Sequence, residues 1–500
     1  MKAEFLYQRG LPPEATFIFK HAHIQDAAYE SLLKSRRQQY HQQVAQVLEE
    51  RFAETVETQP ELLGHHYTEA GLNKQAVPYW RRAADQAVAG SAHAEAIGHF
   101  EKGLAVLNAL PETPERAPQE IELQRGLGAA LSVTKGYSAP EVEQPLARAR
   151  ALCQQIGDTG LIFPVLFDLW SFHEVRGELQ TARELAEQLL ALAEREQDPA
   201  LFLQDHRTLA DVMYRLGEFE SALSHLTRGI ALYDRELHRS QALLYGQDPG
   251  QGLLVYAALV LWMLGYPDQA LRRSEEAITL AEGLSHPYSL GHALQTTTNL
   301  YVFRREWDVV QERAVILSAL ATEQGFADLS RSGLQRQHLV QATQGQRKEE
   351  GIAQSRQDID SRKWPGWLTM LAHLADAYGT VGQAGEGLRL LAEVPAYMDK
   401  TGEQFCEAEL FRVRGELLQK QINPAETQAE FCFGQALDVA RRQQARSWEL
   451  RTSVSLARLW QKQGKTKDAR ELLEPIYGWF TEGFDTADLK DAKALLEELA

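Results

Sequence analysis

The sequence predicts an all-α protein, a right-handed superhelix of helical hairpins, and three observations predict it. Apolar residues recur at the spacing of an amphipathic helix on both sides of short glycine turns. From Gly177 onward these turns return with a period of about 40 residues, which is typical of a repeat array. The net charge of −17 is spread along the chain rather than gathered in a tail, as expected for solvated helical surfaces.

A repeated phrase marks the hairpins. It has an aromatic residue or leucine, then a glycine in a short turn, then a small residue five positions later. Glycine takes the left-handed conformation that ends the first helix, and the small residue lets the second helix approach closely. Two weaker copies also occur. One has Arg305 in place of the glycine, and the other lies at Gly345. We therefore assign a structural role in the turns to six glycines: Gly71, Gly177, Gly217, Gly265, Gly382 and Gly464.

The first part of the chain, residues 1–50, differs from the repeats. Two β-rich runs, Phe5–Gln8 and Thr16–Phe19, flank a Pro-Pro turn. This pattern predicts a β-hairpin. A helical pattern then begins near Gln25.

The remaining chain divides at turn-rich stretches. Ala109–Glu120 contains three prolines among charged residues and predicts a long connection. Near the end, Asp485 or Thr486 can cap a helix that continues to Leu499 and covers the open end of the array. The predicted segments are 51–110 for the first hairpins, 111–480 for the main solenoid and 481–500 for the capping helix.

Charge and cysteine content limit the partners and the compartment. Because 69 acidic residues outnumber 52 basic ones, the surface repels phosphate, and neither nucleic acid nor a membrane is an expected partner. The cysteines, Cys153, Cys406 and Cys432, are far apart and fit a reduced cytoplasm, which is the predicted location. The most apolar run, Leu253–Leu264, is too short for a membrane-spanning helix and predicts a buried one.

The repeated phrase resembles the tetratricopeptide repeat, whose usual period is roughly 34 residues, so these hairpins are longer. Residues 17–52 resemble the segment that follows the ATPase core in large bacterial signalling ATPases, and Pro60–Ala87 resembles the first repeat of their tail. In many of those proteins a class III adenylate/guanylate cyclase domain comes first. An AAA-type ATPase, a winged-helix module and a tetratricopeptide-like tail follow it.

The resemblance implies that residues 1–50 are a winged-helix remnant and that the rest is a protein-binding sensor tail. It implies a protein or peptide partner on the concave face of the array, and cyclase and ATPase domains as partners in cis or in trans. The sequence contains no GxxxxGK[ST] phosphate loop and no paired-aspartate region that matches a cyclase. We therefore expect no enzyme activity and no cofactor in this chain, with the catalytic domains upstream of Met1.

Three alternatives stay open. The chain could carry the name of an adenylate cyclase through full-length relatives, without the activity. It could be a stand-alone tetratricopeptide-repeat adaptor. It could also be the tail of a transcription-regulatory ATPase, although its acidic C-terminal helix differs from the DNA-binding helix–turn–helix of such tails.

No residue stands out as catalytic, cofactor-binding or metal-binding. His21 and His23 are too few for a site, and His65 and His66 diverge by about 100° on a helix. Because no Cys or second His pair lies near either pair in sequence, packing is favoured over metal binding. The basic run Lys34–Arg37 is expected to be a solvated helix face rather than a DNA contact.

The tryptophans fall into two sets. Those beside the repeat turns are expected in the core: Trp80, Trp170, Trp262 and Trp460. Trp364 and Trp367 in KWPGW and Trp479 in YGWFTEGF lie outside this scheme and are predicted as possible partner contacts.

Overall fold

The computed structural model of the protein describes residues 6–9, 16–90, 92–113, 115–136, 139–156, 159–238, 241–361 and 367–500. Within these ranges every regular element is a helix, except for one pair of short strands. Consecutive helices pack on one another as hairpins. The predicted all-α class is therefore confirmed.

The chain divides into two compact units, which are described separately. The first unit contains residues 1–134 and 151–156, and the second contains residues 135–150 and 157–500. The elements of residues 1–135 are β1 (Leu6–Arg9), β2 (Thr16–Phe19), α1 (Ala22–Glu30), α2 (Lys34–Arg51), α3 (Ala53–Thr58), α4 (Pro60–Glu69), α5 (Asn73–Ala89), α6 (His93–Asn108) and α7 (Arg116–Lys135).

The first unit begins with the β-hairpin that the sequence predicts. Strands β1 and β2 pair antiparallel, with Tyr7 opposite Ile18. Helices α4 and α5 form the first helical hairpin, around Gly71. A side chain at Gly64 would lie within 2.8 Å of the Trp80 ring, so glycine lets α4 pack directly against this buried tryptophan.

The second unit is a longer array of helices. Its helices, together with α8, whose residues are shared between the units, are α8 (Pro140–Ile156), α9 (Thr159–Val175), α10 (Leu179–Glu196), α11 (Pro199–Arg215), α12 (Phe219–Leu232), α13 (Arg235–His238), α14 (Gln241–Tyr245), α15 (Pro249–Met263), α16 (Pro267–Gly283), α17 (Pro287–Arg304), α18 (Trp307–Gln324), α19 (Ala327–Gln344), α20 (Lys348–Ser361), α21 (Trp367–Thr380), α22 (Ala384–Leu391), α23 (Val394–Thr401), α24 (Glu407–Gln419), α25 (Glu426–Arg442), α26 (Arg446–Lys462), α27 (Thr466–Trp479) and α28 (Ala487–Glu498).

The turns between helices have the backbone conformation that their glycines suggest. All six assigned glycines have a positive φ, between 73° and 92°, and each lies between two helices. Arg305 takes the same left-handed conformation, with a φ of 61°. Gly345 differs, since its φ of −65° is open to any residue. A left-handed backbone at a non-glycine residue such as Arg305 is uncommon and often marks a functional site.

The end of the second unit packs back on its beginning. We call residues 394–500 the returning segment. The last turns of α11, α15 and α17 present carbonyl groups that have no partner within their own helix, although the Gly265 amide of the following turn donates to that of Trp262 at 3.0 Å. The returning segment donates hydrogen bonds to all three ends at 2.5–3.1 Å. The carbonyls and their donors are Arg215 with the amides of Gln404 and Phe405, Trp262 with the Ser447 hydroxyl, and Phe303 with the Arg451 guanidinium.

Three turn glycines lie at the same contact. A Cβ at Gly177 would lie 3.0 Å from Thr401, and one at Gly217 would overlap Gln443. At Gly265 it would lie 2.6 Å from the Trp479 ring. Glycine is thus needed there for close packing as well as for the turn.

An apolar core joins α15, α17 and α26. The rings of Trp262 and Phe303 stack with centroids 5.0 Å apart, and Trp448 meets Trp262 edge-on at 4.7 Å. Aromatic pairs of this kind stabilise beyond their buried area. The apolar run Leu253–Leu264 lies in this core and is buried, as predicted, except for Leu254 and Tyr256, which are partly buried. In the described ranges, no helix combines the length and hydropathy needed to cross a membrane.

We expect Gly265→Ala to destabilise the second unit more than Gly464→Ala. Both changes put a side chain at a positive φ, which costs about 1–2 kcal/mol. Only the first also drives a Cβ into Trp479 and the Arg446 Cβ, whereas open space surrounds Gly464. The extra cost should be about 1–3 kcal/mol, as in other overpacked sites. Urea unfolding followed by tryptophan fluorescence measures it, because eight of the nine tryptophans lie in the second unit. If both variants lost the same free energy of unfolding, the close packing around Gly265 would be contradicted.

Candidate functional site

A cavity of about 240 Å³ lies in the second unit, where the returning segment meets earlier helices. We call it the charged cavity, because arginines and carboxylates dominate its walls. Its neutral lining includes Trp307, His373 and Ser455. Its charged lining residues are Arg305, Arg412, Arg451, Arg458, Asp376, Glu409, Glu416, Asp488 and Asp491.

Arg451 is the centre of the charged network. Its Nε and Nη2 donate to the two Asp488 oxygens at 3.0 and 2.5 Å, and its Nη1 lies 3.3 Å from Glu409 Oε1. The guanidinium also lies over the rings of Trp262 and Trp448, 5.5 and 4.9 Å from their centroids. A planar cation suits this place, because it stacks on aromatic rings while its edge binds carboxylates.

Arg305, in the turn between α17 and α18, joins the network through Asp488. Its Nη2 lies 3.0 Å from Asp488 Oδ1 and 2.8 Å from Asp491 Oδ2. These ion pairs hold the side chain of Arg305, whose backbone is left-handed. The turn between α17 and α18 is therefore tied to the last helix, α28, by charge rather than by close packing of a glycine.

The buried carboxylate of Glu409 is held in its charged form. Burial alone would raise the pKa of Glu409, but Arg412 and Arg451 outweigh burial and lower that pKa to about 2. Arg412 binds it through two hydrogen bonds, at 2.7 and 2.8 Å. Burial lowers the pKa of His373 to about 4, so this histidine is neutral near pH 7.

Arg458 remains available to a ligand. It lines the charged cavity and is exposed, and it makes no ion pair within the described part of the chain. Asp376, also in the lining, is 3.5 Å from the Lys420 ammonium and partly exposed. The cavity can therefore bind a small polar group that carries a negative charge, and its carboxylates can accept hydrogen bonds from the same ligand.

The tryptophans predicted as partner contacts have different surroundings. Trp364 lies outside the described residues. The prediction of an exposed contact is wrong for Trp367, which opens α21, is fully buried and packs on Tyr397 with centroids 4.6 Å apart. Trp479 is 36% exposed, although Arg446 covers one face of its ring. Trp367 is buried because it lies on the inward face of α21. The sequence does not reveal this, because the KWPGW break obscures the start of the helix.

The N-terminal candidates lie far from the charged cavity in sequence. His21, His23, Lys34 and Arg36 are all exposed side chains of the first unit. His65 is also exposed, whereas His66 is partly buried.

Sequence reasoning missed the charged cavity. Its lining comes from six helices that are distant in sequence, so no spacing reveals it. One signal was present, since Arg305 replaces glycine in an otherwise regular turn. A residue that breaks a local rule without a local reason is a candidate for a functional or packing role elsewhere.

The fold and the charged cavity define an all-α protein of tetratricopeptide-like helical repeats. No protein-family model matches the chain. An uncharacterized protein of Rhizobium meliloti (strain 1021) is 22% identical over 430 residues, which cover 82% of this chain and 40% of that protein. This chain therefore spans less than half the length of that relative.

A solved structure shares the helical-repeat fold. A Rap protein in complex with Competence and Sporulation Factor is 11% identical, has a TM-score of 0.52, and matches 73% of this chain and 98% of its own. Lower similarity is found to a signal transduction ATPase with a tetratricopeptide repeat sensor from Pyrococcus horikoshii, at 13% identity, 64% and 47% coverage and a TM-score of 0.37. The human IFIT1 dimer with m7Gppp-AAAA is 14% identical, with 85% and 89% coverage and a TM-score of 0.42.

We expect Arg451→Leu to destabilise the second unit by about 3–5 kcal/mol. Removing this buried cation leaves Asp488 and Glu409 with less compensation, and an uncompensated buried charge costs that much. Arg470→Leu is the matched control, because Arg470 pairs with Glu474 on an exposed helix face and such pairs contribute at most about 1 kcal/mol. Guanidinium unfolding measures both. A loss at Arg451 no larger than that at Arg470 would show that the network is dispensable.

We expect His373 to make stability depend on pH. Its pKa is about 4 in the folded chain against 6.5 for the free group, so the unfolded chain binds the proton first. The stability is present above pH 6.5 and is lost as the pH falls towards 4. His373→Gln should therefore gain up to about 2 kcal/mol relative to the parent between pH 7 and 5. Unfolding curves of both proteins at pH 7 and pH 5 test this prediction. Between pH 7 and 8 the difference between their free energies of unfolding should stay constant. The prediction is refuted if that difference is also unchanged at pH 5.

Proposed function

We propose that this chain is a non-catalytic binding and sensing region that takes up a short peptide in the charged cavity. One observation carries the proposal. The cavity is lined by earlier helices and by the returning segment, and Arg305 pairs there with Asp488 and Asp491. A ligand in the cavity contacts both parts of the unit at once. It can therefore stabilise one packing of the returning segment over another.

The chemistry of the lining favours a peptide that ends in a carboxylate. Arg458 is the lining cation without an ion pair among the described residues, and arginine matches the geometry of a carboxylate. The oxygens of Asp376 and Glu416 can accept hydrogen bonds from the amides of such a peptide. A cavity of about 240 Å³ has room for a few residues at the end of a chain rather than for a folded domain.

The similar structures support the fold of this proposal and not its ligand. The Rap protein is in complex with Competence and Sporulation Factor, by its own description. At 11% identity that likeness extends to the fold alone. The choice of a peptide with a free carboxylate therefore rests on the lining residues of this chain.

We further propose that binding regulates a cyclase or an AAA-type signalling ATPase, joined to this region or bound by it. The support is the resemblance of residues 17–52 and Pro60–Ala87 to the segments that follow the ATPase core in such proteins. Regulation requires that the ligand binds two packings of the returning segment with different affinities. Coupling energies of this kind are typically about 1–3 kcal/mol.

A peptide-binding assay tests the proposal. A fluorescein-labelled library of hexapeptides with free C-termini is screened against the purified chain by fluorescence polarisation, and each binder is remade with an amidated C-terminus. We expect amidation and Arg458→Ala each to weaken binding at least tenfold, which corresponds to about 1.4 kcal/mol. Arg470→Ala, which changes an exposed arginine outside the cavity, should leave the affinity unchanged.

Two results would contradict the proposal. One is the absence of any binder from the library, or binding that neither amidation nor Arg458→Ala affects. The other is hydrolysis or cyclisation of ATP by the purified chain above the blank, because the proposed region has no catalysis of its own.

A further inference from the structure

Three histidines meet in the first unit, apart from the charged cavity. His41 lies on α2, and His65 and His66 lie on α4. Each offers a ring nitrogen, and the three nitrogens all lie within 4.8 Å of one another. Within the described residues no other group of three His, Cys, Asp or Glu side chains meets this criterion. We call these residues the histidine cluster.

The packing of α2 on α4 creates the cluster. His65 and His66 are adjacent, so their Cα–Cβ bonds diverge around the helix. The His41 ring completes a triangle with them, its centroid 5.6 Å from His65 and 5.0 Å from His66, while the His65 and His66 centroids are 5.4 Å apart. The sequence favoured packing for His65 and His66 because no further ligand was near them in the chain. The third histidine comes from 25 positions upstream, on a neighbouring helix.

The contacts around His41 leave its Nδ1 free for a metal ion when Tyr29 donates its proton to Glu69. The Tyr29 hydroxyl donates to Glu69 Oε2 at 3.4 Å, and its oxygen lies 2.9 Å from His41 Nε2. With the Tyr29 proton directed at Glu69, His41 Nε2 is the donor to the Tyr29 oxygen. The lone pair of His41 is then on Nδ1, which lies 2.8 Å from His66 Nδ1.

Metal-binding histidines share this arrangement, in which one ring nitrogen is free and the other donates a hydrogen bond. A ligating histidine usually donates its other ring N–H to an oxygen, which orients the ring and sets its tautomer. Here Tyr29 is that oxygen partner, and Glu69 in turn orients Tyr29. Two imidazole nitrogens bound to one zinc ion lie roughly 3.3 Å apart, given Zn–N bonds of about 2.0–2.1 Å in a tetrahedron. The His41 and His66 nitrogens need to separate by only about half an ångström to reach that geometry.

We propose that His41, His65 and His66 bind one divalent transition-metal ion of the zinc type, with Tyr29 and Glu69 as positioning residues. Imidazole ligands suit zinc, copper and nickel rather than calcium or magnesium, whose ligands are oxygens. Three protein ligands leave a fourth position of a tetrahedral ion for water or another group. The ion would join α2 to α4, which is the first helix of the first helical hairpin.

Cobalt binding is the first measurement. The complete chain, prepared without a histidine tag and treated with chelator, is titrated with Co²⁺, and visible absorption reports the number and geometry of the ligands. We expect one equivalent to bind with the intense bands of a four-coordinate ion, and Zn²⁺ to displace it stoichiometrically. The melting temperature of the first unit should rise with added Zn²⁺, because the ion binds the folded state.

Variants assign the site. His41→Gln and His66→Gln should each weaken Co²⁺ binding by at least 100-fold, whereas His23→Gln, which changes an exposed histidine of the same unit, should have no effect. Tyr29→Phe removes only a hydroxyl group and should weaken binding about 10- to 100-fold, as expected for a residue that orients a ligand. Circular dichroism checks that each variant remains helical.

The inference fails if the unaltered chain binds no Co²⁺ or Zn²⁺, because three packed imidazoles then have no ligand. It also fails if binding survives in both His41→Gln and His66→Gln, since the ion would then occupy another place. The outcome is independent of the charged cavity, where a different ligand and different variants are measured.

Discussion

The ends of helices α11, α15 and α17 are the constraint on which the second unit depends. Each end presents carbonyl oxygens that no residue of the same helix can satisfy, and burying such a group without a donor costs about 1–3 kcal/mol. The returning segment supplies those donors, and Arg451 adds a positive charge at the negative end of the α17 dipole. The turn glycines, the aromatic core and the charged cavity all lie around this contact, so they share its geometry.

The sequence predicted what is local. Helical periodicity, glycine turns and the buried character of Leu253–Leu264 depend on residues within one hairpin, and each is found in the structure. The return contact joins residues such as Trp262 and Ser447, which are 185 positions apart. No periodicity reports such a pairing, because it depends on the accumulated rotation of several hairpins. The burial of Trp367 was missed for a related reason, since the KWPGW break hides the helix that begins there.

The sequence indicated the two candidate sites to different degrees. The charged cavity had one visible trace, the arginine in a turn that otherwise requires glycine. The histidine cluster showed only the pair His65 and His66, because its third member depends on how α2 lies against α4. In both cases the missing information is the relative position of helices, whereas the residue types were already informative. A polar residue whose local role is weak is therefore worth testing against neighbouring elements once a structure is known.

The return contact also has a consequence for biosynthesis. A ribosome adds about 5–20 residues per second, so Ser447 follows Trp262 by roughly 10–40 s over the 185 residues between them. During that interval the ends of α11, α15 and α17 lack the hydrogen bonds that the returning segment donates, and Trp448 does not yet cover Trp262. Nascent chains of this region would therefore be a natural substrate for chaperones that bind apolar surfaces. Synonymous changes that slow translation between residues 263 and 447 would lengthen that exposure without altering the finished protein.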